Sequence, residues 1–292
     1  MTADRSPETA HGDAFDHRPV TPMRRSVPHT ITFHARVLGV FYRTSIQADM
    51  EYRADFFARV IASLLGLLTT IGSLSIAYGY TDNLRGWTFA QAMVLLAVYY
   101  LMDGLIEMFI GPNMRQISSQ VREGTLDFVL LKPVSSQFMA SFRMLNVWRA
   151  ANALVGVGLS IYTISRLSIA MGMMQAAAFA FTILVGMTVV YSFWLVLVTL
   201  TFWFVRVDNI EQIVWQAFET ARYPIEIYPR WLRGVLTYLV PVVFIVTVPA
   251  SALVGRLSTP MLVTALAVGL VLLTGASAFW RLGLRSYTGA SA

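Results

Sequence analysis

Apolar residues in this chain fall into long blocks separated by short polar intervals, and the blocks are of bilayer length. One runs from Phe57 to Tyr80 with no charge after Arg59. A second, from Trp87 to Ile110, holds only Asp103 and Glu107. A helix needs about 20 apolar residues to cross a bilayer core, so each block is long enough for one span. Ala150 to Ser165 gives a third, with Gly156 and Gly158 as small positions for close helix contact. Met171 to Val205 is uncharged throughout. At about 1.5 Å per residue it outruns the hydrocarbon core, and since only Gly186 offers a turn it is read as one long helix. A last span runs from Pro260 to Leu282.

The blocks are bordered by two amphipathic or irregular stretches. Residues 1–29 carry Pro7, Pro19, Pro22 and Pro28 with scattered charges and few large apolar side chains, the composition of a disordered tail. Residues 30–56 then place Phe33, Val37, Val40, Phe41, Ile46 and Met50 against Arg36, Arg43, Asp49 and Arg53 at helical spacing. An Arg-rich amphipathic helix directly before a span lies along the headgroups. Residues 57–285 form the transmembrane domain, and 286–292 a short C-terminal tail.

Residues 206–254 admit two arrangements. In one, 206–233 is a cytoplasmic loop and Val235 to Val254 is the fifth span, as hydropathy favours. In the other, about 208–224 is a short fifth span, and the prolines beyond it shape a re-entrant pair of half-helices. Tyr223, Pro224, Tyr228, Pro229 and Trp231 belong to that re-entrant region. Irregular backbone at membrane depth is tolerated where protein surrounds it.

The polar interval Val121 to Phe138 separates the second span from the third. Gly124 breaks a helix there, and Pro133 prevents one from continuing through Lys132. Between them Thr125 is placed to cap a short helix, with Asp127 in its first turn, where the helix dipole favours a carboxylate. Leu126, Val129 and Leu130 fall on one face. This predicts a short helix whose apolar face either docks on another protein or lies in the membrane interface as an ordinary loop helix.

Composition sharpens the class. Of 292 residues, 56% are hydrophobic and 13% charged, with mean hydropathy +0.61, against about a quarter charged in soluble domains. There is no cysteine, which removes disulfides, thiolate metal sites and cysteine nucleophiles. Arginine supplies 21 of the 22 basic residues. The single lysine, Lys132, sits between Leu131 and Pro133 and cannot serve a phosphate-binding loop of the Gly-x-x-x-x-Gly-Lys type. With 206–233 cytoplasmic, 19 basic residues fall on one side of the membrane and 3 on the other; with the re-entrant arrangement the division is 16 to 6. Both place the two termini in the cytoplasm, with six spans. The net charge of +6 thus belongs to the cytoplasmic rim and not to nucleic-acid binding. His11, His17, His29 and His34 match no metal-binding spacing. Asp103 and Glu107, one turn apart, are expected to reach water or to pair with Arg115 or Arg149.

Arg122-Glu-Gly-Thr-Leu-Asp-Phe-Val-Leu-Leu-Lys-Pro-Val-Ser135 resembles the signature between the second and third spans of ABC-2 type transporter permeases. Arg222-Tyr-Pro-Ile-Glu-Ile-Tyr-Pro-Arg-Trp-Leu232, with Val240-Pro-Val-Val-Phe and Val248-Pro-Ala250, is similar to one bacterial branch of them. The resemblance covers about residues 30–285 and departs at Val121, where a charged residue often stands. It implies an all-α integral membrane protein with six transmembrane helices, an N-terminal amphipathic interfacial helix and a cytoplasmic coupling helix. That coupling segment would use Arg122, Glu123, Gly124, Thr125, Leu126, Leu130 and Pro133. It further implies an exporter in the bacterial inner membrane, working with a separate ATP-binding subunit that holds ATP and Mg, a second permease subunit, and membrane lipids. No cofactor or catalytic residue is expected in this chain. The rival from the residues alone is an ion-coupled carrier or membrane-embedded enzyme using Asp103 and Glu107.

Overall fold

The structure, a computed structural model, describes residues 31–49, 53–131, 135–167, 172–204 and 208–287. The expected tail over 1–29, with His11, His17 and His29, and the pair Lys132 and Pro133 lie outside the described residues. Among those described, the regular elements are helices, joined at one turn by a single Leu84–Trp87 bridge.

The amphipathic arm forms α1 (Ile31–Asp49), and α2 (Arg53–Tyr78) carries the first span, starting before Phe57. The second span, α3 (Phe89–Phe109), opens with a reciprocal cap: the Thr88 hydroxyl accepts from the Gln91 amide, and the Gln91 side chain accepts from the Thr88 amide. The axis breaks at Ile110, and α4 (Gly111–Arg122) follows with Pro112 in its first turn, where the missing N–H costs nothing. Two short helices, α5 (Asp127–Leu130) and α6 (Ser136–Ser141), lead to the third span, α7 (Ala150–Leu167). The long uncharged run is a single helix, α8 (Met173–Leu200). Then come α9 (Asp208–Glu219), α10 (Arg230–Leu239), α11 (Val243–Leu253) and α12 (Thr259–Ser286).

Among the described residues five helices are long and apolar enough to cross a membrane: those at Val60–Tyr78, Phe89–Phe109, Val147–Leu167, Met173–Leu200 and Thr259–Ser286. The protein is an all-α multi-pass membrane protein. Its centre is α3, buried on nearly all sides. Gly104 of α3 and Gly156 of α7 let these two helices touch backbone to backbone, and Gly283 of α12 meets Thr199 and Phe202 at the end of α8. Gly158, expected to share this role, has nothing within 4 Å, because it faces away from α3. Helix α2 packs through Thr70 and Leu74 and leaves Ile61, Leu64, Leu65, Leu68 and Ile76 exposed along one flank.

The bent pair α10–α11, turned by 76°, decides between the two arrangements. Before it, the Trp87 indole donates to Glu226 at 2.9 Å; after it, Arg256 donates to the Gly86 carbonyl at 2.6 Å and covers the Trp87 ring. Both approaches therefore lie at the α2–α3 turn, one end of the bundle. The vertex lies deep: Val240 and Pro241 share an apolar recess with Ile106, Trp194 and Leu197. The pair dips in and returns, so the hydropathy-favoured span at 235–254 gives way to a re-entrant hairpin. Helix α9 and the turns after it run toward the same α2–α3 turn. These climb from Trp215 beside Trp194, through Phe218 stacked on Tyr99 at 5.2 Å, to Glu226. Tyr228 fixes this ascent by donating to the Thr220 carbonyl at 2.9 Å. In this cysteine-free chain, Trp231→Cys is expected to react with an impermeant thiol reagent from the same membrane side as Asp82→Cys. Labelling from opposite sides would turn 230–253 back into a span.

Candidate functional site

Two features stand out at and below the middle of the bundle: the exposed segment after α4, and a polar cleft beside it. The segment begins with a helix stop. Gly124 takes φ +67°, a left-handed conformation that costs glycine little. Its amide donates to Val121 O at 3.3 Å and that of Thr125 to Gln120 O at 2.9 Å, the pairing of a Schellman motif. Thr125 therefore closes the C-terminus of α4 through its backbone and does not cap the next helix. Helix α5 starts after Leu126, with no side-chain cap, and is a single turn. Asp127 does stand in that turn.

The expected outward apolar face also turns inward. Leu126 is fully buried and Val129 nearly so, packed with Met139, Leu130, Phe41, Phe202 and Tyr287. What the segment presents outward is Arg122, Glu123, Phe128 and Leu131, the last two 69% and 82% exposed. The sequence pattern gives the i, i+3, i+4 stripe but not its direction. On the far side α6 is tied to the rest of the bundle by polar bonds. Gln137 donates to Tyr191 and to Ser277 at 3.0 Å each, and Ser141 pairs with Tyr191 at 2.8 Å. The exposed turn is thus held between α4 and the α8–α12 pair.

The cleft, of about 630 Å³, is bounded by α2, α3, α4, the start of α7, and α9. It reaches from Tyr99, midway along α3, down to Arg122 at the end of α4. The expected pairing of Glu107 is found. Arg115 grips it with two N–H groups at 3.0 Å each, and Arg149 reaches the same carboxylate at 3.4 Å. A fork meeting a carboxylate in this way is the strong form of an ion pair. Asp103 has a different partner, the Asn152 amide. Arg115 also lies over the Trp194 ring at 5.9 Å. From the opposite wall Arg222 stands over Tyr99 at 5.1 Å and meets Glu219 at 3.4 Å. Asn152, Tyr99 and Arg222 are the cleft residues that sequence reasoning missed. An amide near the start of a span was the available signal for Asn152.

In this placement Glu107 is neutralised from two sides and Asp103 is held by an amide.

The ABC-2 family transporter protein family matches residues 64–291, and the chain belongs to that family. It is thus a membrane transport component, the permease subunit of an ABC transporter, and permeases of this family generally work with an ATP-binding subunit. The match begins within α2, so α1 lies outside it, whereas the sequence resemblance was drawn from about residue 30. Among curated proteins none matches.

Proposed function

We propose that this chain is one of two permease subunits of a bacterial inner-membrane exporter, driven by a separate cytoplasmic ATPase that holds the ATP and Mg. The observation that carries the reading is the turn after α4. It exposes Phe128 and Leu131 beside Arg122 and Glu123, while Leu126 and Val129 anchor it to its own bundle. A surface loop with no partner has no reason to present two large apolar side chains on a turn fastened from both sides. Closure of the ATPase would press this turn. α4 would carry the push to Glu107 through Arg115, and α6 would carry it to α8 through Tyr191 and to α12 through Ser277. The basic residues, 16 to 6 in the re-entrant arrangement, support cytoplasmic termini and a cytoplasmic position for the turn. The apolar flank of α2 supports burial in lipid and against a second permease. The family resemblance supports the outward direction.

Anchors of this kind contribute about 2 kcal/mol each to an interface, roughly thirtyfold in affinity. Phe128→Asp with Leu131→Asp is therefore expected to release the ATPase during co-purification and to abolish coupling, with insertion and melting unchanged. Gly124→Pro and Glu123→Arg should uncouple transport from ATP hydrolysis with less loss of binding. Normal co-purification and coupling of the double aspartate variant would overturn the docking role.

A further inference from the structure

The cleft beside α3 is lined more richly with hydrogen-bond donors than its own chain can use. Arg115 and Arg149 share one carboxylate, Glu107. Among the described residues, the carboxylate within ion-pair reach of Arg222 is the half-exposed Glu219, at 3.4 Å. Four buried polar atoms on cleft-lining residues have no hydrogen-bond partner: Ser63 Oγ, Arg149 Nε, Trp194 Nε1 and Arg222 Nε. Trp194 as a whole is only 5% exposed. Three of these four atoms are N–H groups that can donate and cannot accept. A buried donor without an acceptor is costly, and an acceptor-only group carrying negative charge answers the surplus of both hydrogens and positive charge. The arginines that line the cleft, Arg115, Arg122, Arg149 and Arg222, outnumber its carboxylates, Asp103, Glu107 and Glu219, by one.

We propose that this cleft is a binding site for an oxyanion head, a phosphate or carboxylate group, held by Arg222 and Arg149 with the Trp194 indole. Its geometry admits an apolar body behind that head. Ala62, Ser63 and Gly66 of α2 form one wall, and the exposed Ile61, Leu65 and Leu68 flank lies next to them on the same helix. An amphiphile with its head in the cleft and its chain along α2 would satisfy both. The site lies in this chain alone, so its occupancy stands or falls independently of ATPase docking.

The test uses the full-length chain in phosphatidylcholine nanodiscs and follows its tryptophan fluorescence during two titrations. One adds phosphatidic acid to the disc lipid, and the other adds inorganic pyrophosphate to the buffer. A saturable change in either is expected. Saturation by the lipid alone assigns a lipid-borne head, and saturation by pyrophosphate assigns a soluble one. Arg222→Gln and Arg149→Gln should each weaken the response about tenfold or more, as loss of a charged hydrogen bond does, with Arg222→Lys intermediate. The carboxylate that Arg222 meets at ion-pair distance is the half-exposed Glu219, so its variants are expected to fold, and an unchanged melting temperature verifies that. Arg230→Gln, away from the cleft, should bind as the unaltered chain does. The absence of a saturable response to both probes, or an equal loss in Arg230→Gln, would overturn the site.

Discussion

Gly156→Leu is expected to leave little or no folded protein. A Cβ at this position would overlap the Leu101 backbone nitrogen and stand 2.6 Å from Leu101 Cα and 2.8 Å from Ala97 O. These are main-chain atoms of a buried helix, so no rotamer change relieves the overlap and α7 must move away from α3. Overpacking costs about 1–3 kcal/mol where side chains can yield, and more where they cannot. The total stability of a domain is only about 5–15 kcal/mol. The loss is compounded because the same helix pair sets the distances of Asn152 to Asp103 and of Arg149 to Glu107. Gly104→Val should behave similarly, since its Cβ would overlap the Ala153 nitrogen. Gly158→Leu is the control. It has nothing within 4 Å and is expected to change stability by less than about 1 kcal/mol. Size-exclusion profiles of the solubilised protein, taken after graded heating, separate these outcomes. Equal melting of the Gly156 and Gly158 variants would mean that α3 and α7 do not meet as described.

The contrast between these two glycines shows where sequence reading ends. Both lie in one apolar run at positions suited to contact, but which one faces a neighbour depends on the rotation of α7 against α3. Long spans such as α3 and α8 are legible because length and absence of charge are local properties. The course of α9 is not legible in that way. Its polar residues Gln212 and Glu219, with Arg222 in the turn after it, line the cleft, so the average over its faces looks like a loop. Conversely, α10–α11 reads as a span because its apolar residues are nearly continuous. Its return depends on Glu226 and Arg256 meeting a turn that lies 139 and 170 residues earlier. Helix α4 was hidden by Pro112, a residue that stops a helix from within but is tolerated in its first turn. At the coupling segment the glycine was readable from the break it makes. The direction of Leu126 was not, because burial there is supplied by Phe41, Met139 and Phe202 from three distant parts of the chain. In the cleft, Glu107 with Arg115 and Arg149 was expected from charge alone. Arg222 opposite Tyr99 required the fold.

Glu107→Gln is expected to be the most damaging single change in the cleft. The carboxylate is 4% exposed and answers two guanidiniums, which are themselves 45% and 31% exposed. Removing the buried partner of an ion pair costs about 3–5 kcal/mol. The lower figure applies here, since both arginines retain access to water. Arg115→Gln and Arg149→Gln should each cost less, because the remaining arginine still neutralises Glu107. Combining Glu107→Gln with Arg115→Gln should recover part of the loss, by removing one of the stranded charges. Asp103→Asn should be milder than any of these, since asparagine keeps an oxygen to accept from Asn152 in nearly the same volume. This order, read from melting temperatures of the four single variants and the double variant, follows only if the carboxylates are structural supports of the cleft. A proton or ion relay would produce a different pattern. Asp103→Asn and Glu107→Gln would then abolish transport alike while melting like the unaltered protein, because a relay depends on each group's ability to ionise and not on which arginines it holds.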